Sequence, residues 1–268
     1  MQDLKVTFIQ TILHWENIDE NLEMFSEKIS SIKEKTDLII LPEMFSTGFT
    51  MNAKSLAEKT EGKTMQWLKE KAKEKNCIIT GSIIVKDSLP VGKGTGWAYF
   101  NRLIWMKPNG SFEFYDKRHL FRYANEQNFY SPGNKKLIVE LKGWKVCPMI
   151  CYDLRFPVWI RNSIKQHYDV LIFVANWPER RNHSWKTLLL ARAMENQSYV
   201  IGVNRIGNNG KNIYHSGDSA VINPKGEIIS SAKANEDLVE TVTLSYEELT
   251  EWRKIFPARM DADEFELT

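Results

Sequence analysis

The sequence predicts an α/β fold, and three observations carry that prediction. Strand-like and helix-like segments alternate along most of the 268 residues. Several short runs, Leu38 to Leu41 and Trp144 to Ile150 among them, are apolar almost throughout, as strands covered on both faces are. A carboxylate, an ammonium and a thiol stand just past the ends of three strand-like runs, where open α/β sheets hold ligands and chemistry. No repeat, linker or low-complexity segment divides the chain. One domain over residues 1–268 is therefore expected, with 257–268 as a tail of little periodicity that is either disordered or wrapped on a neighbouring subunit.

Each element has its own signal. Lys5 to Thr11 reads as a first strand, not as the apolar core of a leader peptide. Asn17 to Lys35 reads as a helix because Leu22, Phe25, Ile29 and Ile32 recur at helical spacing on one face. A strand at Leu38 to Leu41 follows, then a helix at Thr64 to Lys75 whose alternating Lys and Glu mark a solvated face, then a strand at Ile78 to Val85. Gly96 to Met106 and Ser111 to Asp116 read as a hairpin around Pro108-Asn109-Gly110, a strong turn signal. Strands near Leu137 to Leu141 and at Trp144 to Ile150 come next, and Pro157 opens a helix, since proline suits a first turn. The chain continues with a strand at Val170 to Ala175, a helix at Ser184 to Gln197 and a strand at Tyr199 to Asn204. A meander from Tyr214 to Thr243 turns at Asn223-Pro224-Lys225-Gly226, and Tyr246 to Phe256 forms a last short helix. Gly92 to Gly96 is glycine-rich but lacks the order of a phosphate loop and precedes a strand, so it reads as a flexible loop.

Bulk composition excludes several function classes. Apolar residues make up 43% and charged residues 26%, as in an ordinary globular protein. The net charge of +2 makes no electrostatic case for nucleic acid or for an anionic membrane. No apolar run approaches the roughly 18 residues of a membrane span. Three cysteines, an odd number, argue against a disulfide framework and for a reducing, cytoplasmic setting. Cys77 and Cys147 are expected to be buried and inert. Cys147 and Cys151 lack a second ligand pair, so zinc is not expected.

The chemistry gathers at Cys151, where a buried strand gives way to the turn before Pro157. A thiol near a helix N-terminus is favoured as thiolate. Glu43 closes the run that begins at Asp37, and Lys117 closes the alternating run from Ser111. Three strand ends at one edge of one sheet would bring together a base, an oxyanion donor and a nucleophile.

Leu41-Pro42-Glu43, Tyr115-Asp116-Lys117 and Cys151-Tyr152-Asp153-Leu154-Arg155-Phe156-Pro157 resemble, in order and spacing, the three signatures of the carbon–nitrogen hydrolase (nitrilase) superfamily. The resemblance runs on through Ala175-Asn176-Trp177-Pro178, Ala191 to Gln197 and Gly217 to Pro224. It covers nearly the whole chain and is most similar to the omega-amidase branch. It implies a four-layer α-β-β-α sandwich. It also implies hydrolysis of small linear amides, such as ω-amides of 2-oxo dicarboxylic acids like 2-oxoglutaramate, to acid plus ammonia through a cysteinyl thioester. It calls for no metal or organic cofactor, and a homodimer or higher homo-oligomer is expected.

On this reading Glu43 is the base, Cys151 the nucleophile, and Lys117 with the backbone N–H of Tyr152 the oxyanion donors. Glu126, nine residues after Lys117, matches the place of a second glutamate that positions Lys117 or substrate. Arg155 either grips a substrate carboxylate or pairs with Asp153 or another acid, and Arg180 and Arg181 are rival clamps. Trp177, Phe45 and Phe121 either wall the pocket or pack in the core. Asp153 is read as tying down the elbow, and Arg192 with Glu195 as a buried structural pair. His119 and His215 raise a cysteine–histidine protease only weakly. Rival readings are a nitrilase or N-carbamoyl amide hydrolase using the same triad, and a non-catalytic interaction protein on this fold, which the complete triad disfavours. An ammonia-donating glutaminase module is disfavoured by the absence of length for a synthetase domain.

Overall fold

A computed structural model describes residues 1–88, 96–164, 166–263 and 265. The glycine-rich stretch Gly92 to Thr95 and the final residues of the tail lie outside the described residues. The first five strands are β1 (Leu4–Gln10), β2 (Leu38–Ile40), β3 (Ile78–Ser88), β4 (Trp97–Met106) and β5 (Phe112–Asp116). Then come β6 (Val139–Leu141), β7 (Trp144–Ile150), β8 (Val170–Ala175) and β9 (Tyr199–Asn204). A hairpin of β10 (Ile206–Asn208) and β11 (Tyr214–Ser216) precedes β12 (Ala220–Ile222), β13 (Ile228–Ser231) and β14 (Leu238–Leu244). One six-stranded sheet has the order β14-β1-β2-β3-β4-β5, and a second has β13-β12-β9-β8-β7-β6.

Period-two alternation sends successive side chains to opposite faces of a strand, and this sequence uses both faces. In the first sheet Leu4, Val6, Phe8, Leu38 and Ile40 share the central core with Val146, Ile150 and Ile172 of the second. Their neighbours Ile9, Ile39, Leu41 and Ile79 face the other way, under two helices. These are α1 (Ile18–Ser31), through Leu22, Phe25 and Ile29, and α3 (Lys63–Lys75), through Met65, Leu68 and Ala72; a four-residue α2 (Ala53–Leu56) lies between them. On the second sheet α5 (Asn182–Asn196) lays Trp185, Leu189 and Ala193 against the core, and α6 (Tyr246–Ile255) adds Leu249. The layers are thus helix, sheet, sheet, helix. No helix among the described residues is long and apolar enough to cross a membrane.

Three expectations need correction. The helix predicted from Pro157 is only α4 (Pro157–Ile160), preceded by a 3₁₀ turn at Cys151–Arg155. Its continuation is stopped where Asn162 turns inward and bonds Tyr168 and Asn196 instead of extending the helix. The late meander is also not one ribbon: β12 and β13 finish the second sheet, whereas β14 crosses to pair antiparallel with β1 of the first. Helix α1 ends at Ser31, short of Lys35, because Ile32 is already extended. Its start matches, with the Asn17 side chain accepting from Glu20 N at 3.2 Å.

Candidate active site

Glu43, Lys117 and Cys151 do meet, but from two sheets. Glu43 follows β2 and Lys117 follows β5 of the first sheet, whereas Cys151 follows β7 of the second. The expectation of one edge of one sheet is therefore wrong: the residues face each other across the sandwich. Two left-handed backbones aim them. Met44, directly after Glu43, has φ 44° and donates its N–H to Ser82 Oγ at 2.8 Å. Cys151 itself has φ 41°, a conformation that a residue with a side chain holds at a cost of about 1–3 kcal/mol.

Glu43 is fully buried and its carboxylate is held on both oxygens. Oε1 accepts from Lys117 Nζ at 2.9 Å and from Asn101 Nδ2 at 2.8 Å. Oε2 accepts from the backbone N–H of Asn176 at 2.9 Å, and Asn176 Nδ2 donates to the Glu43 carbonyl at 2.5 Å. Lys117 also donates to both oxygens of buried Glu126 at 3.0 Å. Glu126 Oε2 in turn accepts the backbone N–H of Phe121 at 2.5 Å. The ammonium thus lies between two carboxylates, which hold it charged against the opposing effect of burial.

The Cys151 thiol and the Glu43 carboxylate line one cavity, and the charge of the carboxylate acts on the thiol. Burial, and then the Glu43 charge, push this thiol well above its usual range, against the pull of Lys117. The buried set already holds two carboxylates and one ammonium, so a resting thiolate would add a further anion. This outweighs the thiolate preference expected from a helix end, which here is a short 3₁₀ turn. Cys77 and Cys147 are buried and raised to about 12, chiefly by desolvation, as inert core thiols are.

Asp153 and His119 have a different task. Asp153 Oδ2 accepts from Tyr115 Oη at 2.8 Å and from Ile150 N at 3.2 Å. Its Oδ1 accepts from His119 N at 3.0 Å and faces His119 Nδ1 at 2.7 Å. One buried carboxylate therefore ties the strand and loop around Lys117 to the turn of Cys151. With Asp153 so engaged, Arg155 takes another partner: Nη2 donates to Ser184 Oγ at 2.9 Å, and the guanidinium lies 4.9 Å from the Trp177 ring centroid. Arg192 bonds Glu195 at 3.0 Å as expected, and also donates to the Leu154 carbonyl at 2.7 Å, closing the turn after Cys151.

A cavity of about 290 Å³ opens onto Cys151 and Glu43. Tyr152, Phe121, Trp177, Arg155 and Arg180 line it, as the sequence suggested, and Arg181 does too. Phe45 does not. It is fully buried beneath Trp67 and Phe25, with ring centroids at 5.8 and 5.6 Å, because the turn after Glu43 points it toward the helices. Sequence reasoning passed over Asn101, Asn176 and Lys211 as site residues, and weighed His215 only as a protease histidine. The signal for the first was a lone amide inside the apolar β4 run, and for the second a lone amide at the end of β8. Lys211 and His215 belong to the β10–β11 hairpin that borders the cavity, and hairpin tips carry no local mark of what they cover. His119 and His215 form no dyad with Cys151: His215 Nδ1 faces the Gly207 carbonyl at 3.2 Å.

Comparison with known proteins agrees with this arrangement. Residues 5–254 match the family model described as carbon-nitrogen hydrolase. The chain is 43% identical to the omega-amidase YafV of Escherichia coli (strain K12), covering all of both chains. It is 34% identical to a 2-oxoglutaramate amidase of Bacillus subtilis (strain 168), covering 90% of this chain and 89% of that one. Among solved structures, XC1258 of Xanthomonas campestris, a CN-hydrolase superfamily protein with an arsenic adduct in its active site, superposes with a TM-score of 0.92 at 40% identity over all of both chains. Nit3 of Saccharomyces cerevisiae, a nitrilase-superfamily member, gives 0.83 at 25% identity over 96% of this chain and 95% of that one. The chain belongs to the carbon–nitrogen hydrolase family, whose members are hydrolases of non-peptide carbon–nitrogen bonds.

Proposed function

We propose that this protein is an omega-amidase, hydrolysing the terminal amide of a small acid-bearing linear amide, such as 2-oxoglutaramate, to acid and ammonia. The observation that carries the reading is the charge on the cavity. Of its charged lining residues Glu43 is the acid, and it is already engaged, while Arg155, Arg180, Arg181 and Lys211 are cations. A substrate with a carboxylate at its far end supplies the missing anion. The resemblance to the omega-amidase and the 2-oxoglutaramate amidase supports the same substrate class.

Glu43 takes the Cys151 proton as sulfur attacks the amide carbon, so charge forms only as the bond forms. The oxyanion falls to Lys117 Nζ and the Tyr152 N–H. Collapse of the tetrahedral species breaks the carbon–nitrogen bond, and the nitrogen leaves as ammonia with the proton from Glu43. The thioester then meets water, from which Glu43 removes a proton. Cys151 departs as thiol and the acid is released. Glu126 acts through Lys117 as a positioning residue, without reaching the substrate.

The test is ammonia release from a panel of short amides, nitriles and N-carbamoyl acids. Preference for acidic ω-amides supports the reading. Preference for nitriles or carbamoyl acids would move it to those branches, and no turnover of any would leave an interaction protein. We further assign a cytoplasmic homodimer. Three free thiols fit a reducing compartment. Exposed Val158, Ile164 and Phe265 border a second cavity suited to a second copy of the chain. Cell fractionation and sedimentation equilibrium test these assignments.

A further inference from the structure

We infer that Arg181 is the residue that recognises the far carboxylate of the substrate, with Arg155 serving as a fixed wall. The inference rests on the acid-bearing substrate proposed above and names the group that selects it.

The four cavity cations differ in how free they are and how dry. Arg180 and Lys211 are exposed, and exposed charges steer encounters more than they discriminate between bound ligands. Arg155 and Arg181 are half-buried. Arg155 is tied down: Ser184 Oγ accepts from its Nη2 at 2.9 Å and itself donates to the Arg181 carbonyl at 2.9 Å. Trp177 covers one face of its guanidinium. Arg181 is the reverse case, a fixed main chain bearing an uncommitted head. Its carbonyl accepts from Trp177 Nε1 at 2.8 Å and from Ser184, and its N–H donates to Pro178 O at 3.0 Å. Among the described residues its guanidinium has no carboxylate partner and makes no hydrogen bond. It lies 5.1 Å from the Phe121 ring centroid and 5.8 Å from that of Tyr123.

That platform is anchored in the site. The Phe121 main chain is held by Glu126, the same carboxylate that grips Lys117, and its ring meets Tyr152 edge-on at 5.0 Å. The head of Arg181 therefore keeps a set relation to the residue beside Cys151. Burial weakens its hold on its own proton, and the nearby Arg180 and Arg155 charges act in the same direction. A bound carboxylate relieves that repulsion, and a planar guanidinium backed by an aromatic ring takes it at two points.

The experiment compares Arg181→Met, Arg181→Lys and Arg155→Met with the parent, each on a 2-oxo ω-amide and on a neutral amide of equal length. Arg181→Met should raise KM for the acidic amide about 100-fold, with kcat and the neutral amide changed no more than about twofold. Arg181→Lys should recover about a tenth of the lost affinity, since an ammonium lacks the fork. Calorimetry of the 2-oxo dicarboxylate product on Cys151→Ala, with and without Arg181→Met, should show the same ratio of Kd. If Arg181→Met keeps the acid preference while Arg155→Met abolishes it, the assignment is overturned. If the parent enzyme itself shows no acid preference, the substrate class fails instead.

Discussion

At the scale of single residues the site works by restraint. Cys151 rests as a thiol because burial and Glu43 both oppose its ionisation, so under the proposed mechanism its reactivity waits on proton transfer to Glu43. Cys151→Ala should fold and lose essentially all turnover, while Cys77→Ala and Cys147→Ala keep most of it; ammonia release alongside circular dichroism checks this. Glu43→Gln keeps the shape and its Asn101 and Asn176 contacts can be rearranged, but it cannot accept the proton. Its kcat should fall by roughly 10²–10⁴. The substitution also removes one of the two influences that hold the thiol protonated, so alkylation of Cys151 by iodoacetamide should set in at lower pH in that variant than in the parent. Lys117→Met should cost about 3 kcal/mol of transition-state stabilisation, read from kcat/KM. If either variant keeps more than about a tenth of the parent kcat, its assigned role is wrong. The triad itself was legible because each of its three residue types closes a strand-like run, and the three runs together resemble the family's signatures. Asn101 and Asn176 were not, because what makes them matter is a partner 58 and 133 positions away.

At the scale of elements, the joints between strands and turns decide the geometry. Asp153 joins the loop after β5 to the turn after β7, so Asp153→Asn should misplace Lys117 and Cys151 relative to each other. We expect kcat to fall about 10- to 100-fold with KM little changed, and Asp153→Glu to restore part of it. Equal losses in KM would make the strap a general scaffold. The β10–β11 hairpin supplies a second test. His215 is held to about 4 from its usual 6.5 by burial, with Arg205 and Arg181 acting in the same direction. A histidine with a depressed folded value is neutral in the fold, so its contribution is complete above 6.5 and is lost as pH falls toward 4. His215→Asn should therefore lose about 2 kcal/mol less than the parent between pH 7 and pH 4.5 in urea unfolding. Elements with long runs, such as β3, β4 and α5, were legible from periodicity. The four-residue α4 and the exchange of β14 between sheets were not, since Asn162 and the β1 edge act through distant pairings.

At the scale of the whole molecule, the positive cavity should reject an α-ammonium as firmly as it admits a carboxylate. An amino-acid ω-amide should thus show kcat/KM at least about tenfold below its 2-oxo analogue, because its ammonium meets arginines and no free acid. Comparable values for the two would show that the cations are not sensed. The four-layer architecture was legible mainly through resemblance, because periodicity tells strand from helix but not which strands share a sheet. That division has a consequence for the enzyme. Glu43 and Lys117 ride on one slab and Cys151 on the other, so the packing of Leu103, Trp105 and Phe8 against Val146, Ile150 and Ile172 acts as a calliper. The gap it sets is the reach between the Glu43 carboxylate and the Cys151 sulfur. Overfilling it by Val146→Phe should cost about 1–3 kcal/mol of stability yet suppress turnover far more. Catalysis would then gauge that spacing more finely than melting does.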